Sequence, residues 1–514
     1  MNELSRRSFL KSSALTVPGT FAATQARTLA TGAVGASHNT TTGETYRFLR
    51  EVPVETGFDV VVAGGGPAGT AAALCAARRG ARVLLVEATG CLGGMATSGM
   101  MMSFCPVGDG KRCLTGGLMR EFIETMYRRG FLQPGIQPEA WRKYYGRWIP
   151  FNAEGLKLVL DELVTASGVE VRFFTQLIDV DADQQTRQVK GVVLHNIEGY
   201  RYIRDRKFID GTGNAVLAKL CGALCREAGK DTRGIMPPTL ISLCSGLDWQ
   251  RMGNQQAALM RALADNFFKQ PDRHLPGMQQ IGRHLGMLNA GHIFNLDALR
   301  NKSMTDGMMM GRRLAQEYLA FYRKYVPGCE NIEQVTTAPL MGVRESRRVL
   351  GEYELSAADY LARRQFPDQI GVYNYPIDIH ASSNSPEEFD RFQKEFHQTG
   401  RLKPGECVGL PYGMLVPRSW KNLWVAGRCA SMDVSVHGAF RVQPAAVLMG
   451  QASGAAAVQS LKTGQLACDL DTAQLVEELR RQGAYLPQTE LRKTMTRRAG
   501  ANSQPPSSVE ASLE

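Results

Sequence analysis

Between Asp59 and Glu87 an apolar run, Val60-Val-Val-Ala63, stops at Gly64-Gly65-Gly66-Pro67-Ala68-Gly69. An Ala-rich stretch follows from Thr70 to Arg79. A second apolar run, Val83-Leu-Leu-Val86, then ends in Glu87. This is a strand, a tight Gly-x-Gly-x-x-Gly turn, a helix, and a strand with an acid at its tip. Few folds accept that order. The glycines let the backbone approach a pyrophosphate. The helix start offers unpaired N–H groups and a positive dipole end. The acid can accept hydrogen bonds from a ribose. The segment predicts a Rossmann-like α/β domain that binds an ADP moiety.

Two further glycine clusters extend the pattern. Gly93-Gly94-Met95-Ala96-Thr97 begins six residues past the acid. Far downstream, Asn422-Leu-Trp-Val-Ala-Gly427-Arg428 reads as another short strand ending in a turn. His437-Gly-Ala-Phe-Arg441-Val-Gln443-Pro444 follows, and a small-residue helix then runs to about Leu461. Pro444 suits the first helical position, where its missing N–H costs nothing. These motifs, with Arg344-Glu-Ser-Arg347-Arg348 and Tyr375-Pro-Ile-Asp378-Ile-His380, occur in one order over residues 57–465. Together they resemble the FAD-dependent oxidoreductase family, two-dinucleotide-binding-fold flavoproteins distantly related to fumarate reductase flavoproteins and thiazole-synthesis enzymes.

The resemblance implies FAD as cofactor. It places Gly64, Gly65, Gly66, Pro67, Ala68, Gly69 and Glu87 at the ADP half. Gly93, Gly94 and Met95 run beside the pyrophosphate and ribityl chain. Leu177 packs on the adenine side, and Thr212 and Gly213 return the chain toward the pyrophosphate. Gly427, Arg428 and Gln443 lie at the flavin end, where the helix starting at Pro444 aims its N-terminus at the ring's pyrimidine edge. Many flavoproteins carry Gly-Asp where this chain has Gly427-Arg428; Asp433, six residues on, is an alternative acid. No histidine occurs between His38 and His195, so the histidyl flavin tether of respiratory fumarate reductases is absent. The flavin is expected to be non-covalent.

Four residues are candidates for chemistry. Histidine titrates near neutrality and arginine binds carboxylates bidentately. His437 and Arg441 sit just before the flavin-facing helix, His437 as a proton-transfer group and Arg441 as an anion anchor. His380 and Arg344 are the second pair. For Arg344, Arg347 and Arg348, a salt-bridge cluster with Glu345, Glu352 or Asp378 is the competing role. No second strand-anchored glycine motif exists, which argues against a tightly bound nicotinamide domain. Electrons should therefore pass between a small-molecule substrate, FAD and a separate acceptor or donor: a quinone, a carrier protein or oxygen. The expected activity is a dehydrogenase or reductase acting on a small metabolite, with anionic ones among the expected substrates. An oxygen-using oxidase or monooxygenase and a non-catalytic flavin-binding protein are the alternatives.

The chain's 514 residues exceed one hydrophobic core, and 44% apolar with 21% charged residues is ordinary for a soluble enzyme. A net charge of +11 gives a mild bias toward anionic substrates. Basic blocks interleaved with aromatics are missing, so nucleic acid is not an expected partner. The eleven cysteines are dispersed without Cys-x-x-Cys, which argues against iron–sulfur and zinc frameworks, and no metal is expected. Two uncharged stretches, Val60–Ala77 and Val442–Leu461, contain glycine turns or glutamines, so no integral membrane segment is expected.

The expected organisation is a signal peptide over 1–26, a mobile leader over 27–56, and the FAD domain's first part over 57–223, with a helical insertion at 100–150. An inserted α+β substrate domain spans 224–416. The FAD domain returns over 417–465, so it is discontinuous. Terminal helices follow over 466–489, then a disordered tail over 490–514. Ser5-Arg6-Arg7-Ser8-Phe9-Leu10-Lys11, followed by an uncharged run to Ala26, matches a twin-arginine signal. Such signals engage the twin-arginine export machinery and send folded, cofactor-loaded proteins to the periplasm or beyond. Replacing Arg6 and Arg7 with lysine should leave flavin-loaded protein in the cytoplasm on fractionation; unchanged export would rule the route out.

Overall fold

The computed structural model describes residues 45–232, 234–394 and 400–487. The expected signal peptide, most of the expected leader and the expected 490–514 tail lie outside the described residues. Residues 45–51 form a unit of their own that is exposed and without regular secondary structure.

Residues from 52 onward form one compact unit built on a five-stranded parallel sheet. Its strand order is Leu423–Val425, Lys207–Asp210, Val60–Ala63, Val83–Val86 and Glu170–Arg172. The middle strands read Val-Val-Val-Ala and Val-Leu-Leu-Val and are wholly buried, as expected of a parallel sheet covered on both faces. Ala63 is in register with Val86 and Asp210, and Asp210 with Val425. The next residues of these strands, Gly64, Glu87, Gly211 and Ala426, therefore gather at one edge. Carboxyl ends of parallel strands are where such sheets bind ligands. One strand comes from residue 423 onward and the rest from residues 60–210, so the fold is discontinuous, as the sequence predicts.

The Pro67–Arg78 and Gln443–Thr463 helices pack on this sheet and on each other. Small residues make that contact possible. A Cβ on Gly450 would fall 2.0 Å from the Ala68 carbonyl oxygen, and one on Gly454 would fall 2.3 Å from that of Ala72. An amphipathic helix forms at Ala153–Ala166, capped by the Asn152 side chain. Gln188–Asn196 and Gly199–Arg204 form a hairpin inside a four-stranded sheet with Gln176–Asp183 and Val54–Glu55.

The inserted α+β region carries its own antiparallel sheet, ordered Gly277–Gln280, Gly286–Asn289, Ser242–Ser245, Glu333–Thr337. The Asn301–Tyr325 helix packs on it. A separate hydrophobic cluster, including Leu247, Tyr318, Phe321 and Tyr322, fills the space between them. Among the described residues no helix is long and apolar enough to cross a membrane. All eleven cysteines are unpaired.

The helix contact has a measurable consequence. Gly450→Ala adds one methyl against a carbonyl that cannot move without displacing the Pro67–Arg78 helix. Overpacking costs about 1–3 kcal/mol where side chains can yield. At this backbone contact a loss of about 3 kcal/mol or more is expected in denaturant unfolding.

Candidate flavin site and the arginine pair

The glycine turn is held by its own backbone. Gly64 N–H donates to the Val86 carbonyl at 2.8 Å, and Gly211 N–H donates to Ala63 at 2.8 Å. Gly64 has φ of +92°, and a Cβ there would fall 2.8 Å from the Gly211 backbone. Gly69 is as tightly constrained: its Cβ would lie 1.8 Å from the Gly64 oxygen. Gly66 differs. It is the extended N-cap of the Pro67–Arg78 helix and has no side-chain cap. A Cβ on it would meet nothing closer than the Gly211 oxygen at 3.9 Å. The helix start is therefore uncapped and faces open space, and Pro67 contributes no N–H. The first helical bond runs from Thr70 to Gly66 at 2.9 Å, leaving the Ala68 and Gly69 N–H groups as the end donors.

Glu87 ties the neighbouring segments to this turn. One carboxylate oxygen accepts Gly65 N–H at 2.6 Å; the other accepts Thr89 N–H and its hydroxyl, each at 2.8 Å. A carboxylate has about four acceptor sites, so about one is left for a ribose. Gly93 N–H donates to Gly65 at 2.8 Å, and a Cβ on Gly94 would lie 3.0 Å from Gly66 Cα. Met95 is half-buried beside them. Thr175 N–H donates to the Glu87 carbonyl at 3.0 Å, and Leu177 follows, half-buried, in the Gln176–Asp183 strand. Gly427 closes the other side, where a Cβ would lie 3.1 Å from the Ala68 methyl.

Two residues of this group have most of their polar atoms engaged elsewhere. The Thr212 hydroxyl donates to buried Asp210 at 2.7 Å. Arg428 donates to the carbonyls of Gly213 and Val343 at 3.0 and 2.6 Å, and to the Asn214 side chain at 2.5 Å. Arg428 thus ties the return segment to Gly213 and to the loop before Arg344.

At the other end, the long helix starts at Gln443, with Pro444 second and no side-chain cap. Gln443 donates to the Met101 carbonyl at 2.9 Å, and its side-chain oxygen is buried without a partner. Arg441 precedes it and donates to Asp378, to the carbonyl oxygen at 3.1 Å and the carboxylate at 3.3 Å. Gly438 permits this approach, because its Cβ would lie 2.9 Å from the Asp378 carbonyl oxygen. Arg344 donates to the Thr239 hydroxyl at 3.1 Å. Burial, reinforced by the Arg441 charge, lowers its pKa to about 10. The Nε groups of Arg344 and Arg441 are both buried without partners. Burial works to raise the Asp378 carboxyl, but the surrounding His380, Arg441 and Arg344 side chains outweigh it and hold it well below the usual carboxylate range.

The other candidates separate. Arg347 pairs with Glu227 and Arg348 with Asp231, so these two form salt bridges and Arg344 does not join them. His380 is buried between Asp378 and His292. His437 is wholly buried, with one ring nitrogen 3.0 Å from the Arg428 carbonyl. Burial, then the charges of Arg348, Arg441 and Arg428, hold its pKa well below the usual value. The sequence reading missed Thr239, His292 and Asp272; each comes from a segment with no motif.

The family description "FAD dependent oxidoreductase" matches residues 59–479. The chain belongs to the FAD dependent oxidoreductase family. Its cofactor is FAD. The open Gly66 cradle, the uncapped helix start and the Glu87 tip fit the ADP half of that cofactor. No curated protein matches this oxidoreductase. Among solved structures it is similar to a geranylgeranyl bacteriochlorophyll reductase-like protein from Thermoplasma acidophilum, with 12% identity, 83% of each chain covered and a TM-score of 0.39. It is also similar to the myxobacterial chondrochloren halogenase CndH, with 15% identity, 84% of this chain and 79% of that one covered, and a TM-score of 0.40.

Gly66→Leu should fill the cradle and leave a folded protein without FAD, read as the ratio of flavin to protein absorbance after purification. Gly64→Leu should instead fail to fold, because the positive φ and the Gly211 contact both forbid it. Full flavin occupancy in Gly66→Leu would show that the pyrophosphate does not pass this point.

Proposed function

We propose that this oxidoreductase transfers a hydride between a small anionic metabolite and non-covalent FAD, with a separate acceptor or donor completing the cycle. The observation that carries the reading is the pair Arg344 and Arg441. Two guanidiniums flank one carboxylate, and each keeps a buried N–H without a partner. An unpaired buried donor costs about 1–3 kcal/mol, more when charged, so an arriving anion would relieve both. FAD, when bound, supplies the hydride acceptor or donor. Asp378 holds Arg441 in place and Thr239 holds Arg344, so the two forks are set before the substrate arrives. A carboxylate gripped by such forks is fixed in orientation. Gln443 and its unpaired oxygen supply a neutral polar contact at the helix start. His437, enclosed and tied to Arg428, suits a positioning role for the return segment better than proton transfer. The twin-arginine signal at Arg6-Arg7 supports export to the periplasm.

Anaerobic bleaching of the flavin should be screened with hydroxy, amino and unsaturated carboxylates beside their neutral amides. Only the anions should bleach it. Arg441→Lys and Arg344→Met should each raise the half-saturation concentration about 10–100-fold, as loss of one charged bidentate contact implies, while FAD stays bound. Equal bleaching by the amides, or unchanged half-saturation in both variants, would overturn the anion pocket. Rapid reoxidation by air with a hydroxylated product would move the reaction to the oxygen-using class.

A further inference from the structure

Behind the anion pocket, histidines from three separate segments converge. His292 places Nδ1 2.7 Å from an Asp272 carboxylate oxygen, and His380 places Nε2 3.4 Å from one of Asp378. The opposite nitrogens, His292 Nε2 and His380 Nδ1, face each other at 2.9 Å. His274 lies alongside, its ring centroid 4.6 Å from that of His380 and 5.0 Å from that of His292. One nitrogen from each of the three rings lies within 4.8 Å of the others.

Asp272 decides where the His292 proton goes: it draws the Nδ1–H outward and turns the bare Nε2 lone pair toward His380 Nδ1. His380 Nε2 stands 3.4 Å from Asp378 without a hydrogen bond. A proton on His380 Nδ1 would serve the two facing nitrogens. It has no use for a third, whereas a metal ion does. A carboxylate on the far nitrogen of a histidine is the usual outer support of a metal ligand: it fixes the tautomer and raises the ring's basicity. His292 carries one in Asp272, Asp378 lies 3.4 Å from His380, and the two acids offset the charge of a divalent ion. Two nitrogens on one tetrahedral zinc lie about 3.3 Å apart. The observed 2.9 Å would need to open by only a few tenths of an ångström. A small cavity of ≈ 10 Å³, lined by Asp272, His274, His292, Ser383 and Asn384, adjoins the cluster and is about the size of one water.

We propose that His274, His292 and His380 bind one divalent first-row transition ion, with Asp272 and Asp378 as outer supports and water in the open position. All-nitrogen sites of this kind suit zinc and its neighbours in the row. The cysteine spacing gave no sign of it, because no cysteine takes part. The site needs neither the flavin nor the anion pocket to be as assigned.

The test uses the FAD-loaded full chain, stripped with a chelator and titrated with Co²⁺ and then Zn²⁺. One equivalent of Co²⁺ should give visible absorption bands that Zn²⁺ abolishes. His292→Ala and His380→Ala should weaken binding at least about 100-fold. Asp272→Asn, which keeps the shape, should weaken it about 10–100-fold. Exposed His195→Ala should leave it unchanged. Flavin occupancy reports folding in every variant; if an alanine variant loses it, Asp272→Asn and His274→Gln decide the question alone. No stoichiometric binding, binding indifferent to these substitutions, or a metal-free cluster showing only a strongly downfield shared proton by NMR would overturn the proposal.

Discussion

Backbone touching backbone, with no side chain between, holds the cofactor end of this protein together. Gly69 lies against Gly64, Gly211 against both, and Gly450 against Ala68. Each contact is too close for a Cβ. These contacts set the direction of the Pro67–Arg78 helix, and through it the Gln443–Thr463 helix that runs back over the sheet. The positions of Gln443 and Arg441 follow from that second helix. A cofactor fold could tolerate a looser sheet. It could not tolerate a helix start that points elsewhere, because its end donors are what the pyrophosphate meets.

Much of this was legible in the sequence because the signal is local. The Val60 and Val83 runs, the glycine turn and Glu87 fall within thirty residues, and each element favours the next. The return strand at Leu423 was also readable, since a short apolar run before Gly427 has few other uses. The antiparallel sheet of the inserted region was less so. Its Gly286–Asn289 strand is only four residues long and pairs with Ser242–Ser245, more than forty residues away, and no periodicity announces such a partner. Asp272, His274 and His292 were invisible for the same reason. They are ordinary in their own segments and acquire meaning only when His380 arrives from another.

Arg428 and His437 show a different limit. Both follow Gly427 in the return segment, but position in the chain does not fix the direction of a side chain. The Arg428 guanidinium turns to two carbonyls and Asn214, and His437 turns to the Arg428 carbonyl. Both use the end of the return strand as an anchor. Arg344 and Arg441 have the same residue chemistry as Arg347 and Arg348. All four keep a buried Nε without a hydrogen bond; what sets Arg344 apart is that Arg347, Arg348 and Arg441 each pair with an acid while Arg344 donates to the Thr239 hydroxyl.

That mismatch is where packing and function meet. Among the described residues, unpartnered buried polar atoms include Arg344 Nε, Arg441 Nε, Gln443 Oε1 and His380 Nε2. Arg441 and His380 both lie on Asp378, and Gln443 sits two residues from Arg441. Each such atom costs about 1–3 kcal/mol in a protein whose net stability is about 5–15 kcal/mol. Four of them grouped at one place would be a heavy burden on a purely structural core. The same region carries two guanidiniums near one carboxylate and two histidine nitrogens face to face. A fold keeps such a region unsatisfied when ligands complete it. An anion at the arginines and a cation among the histidines would each satisfy what the other cannot, and Asp378 stands between the two.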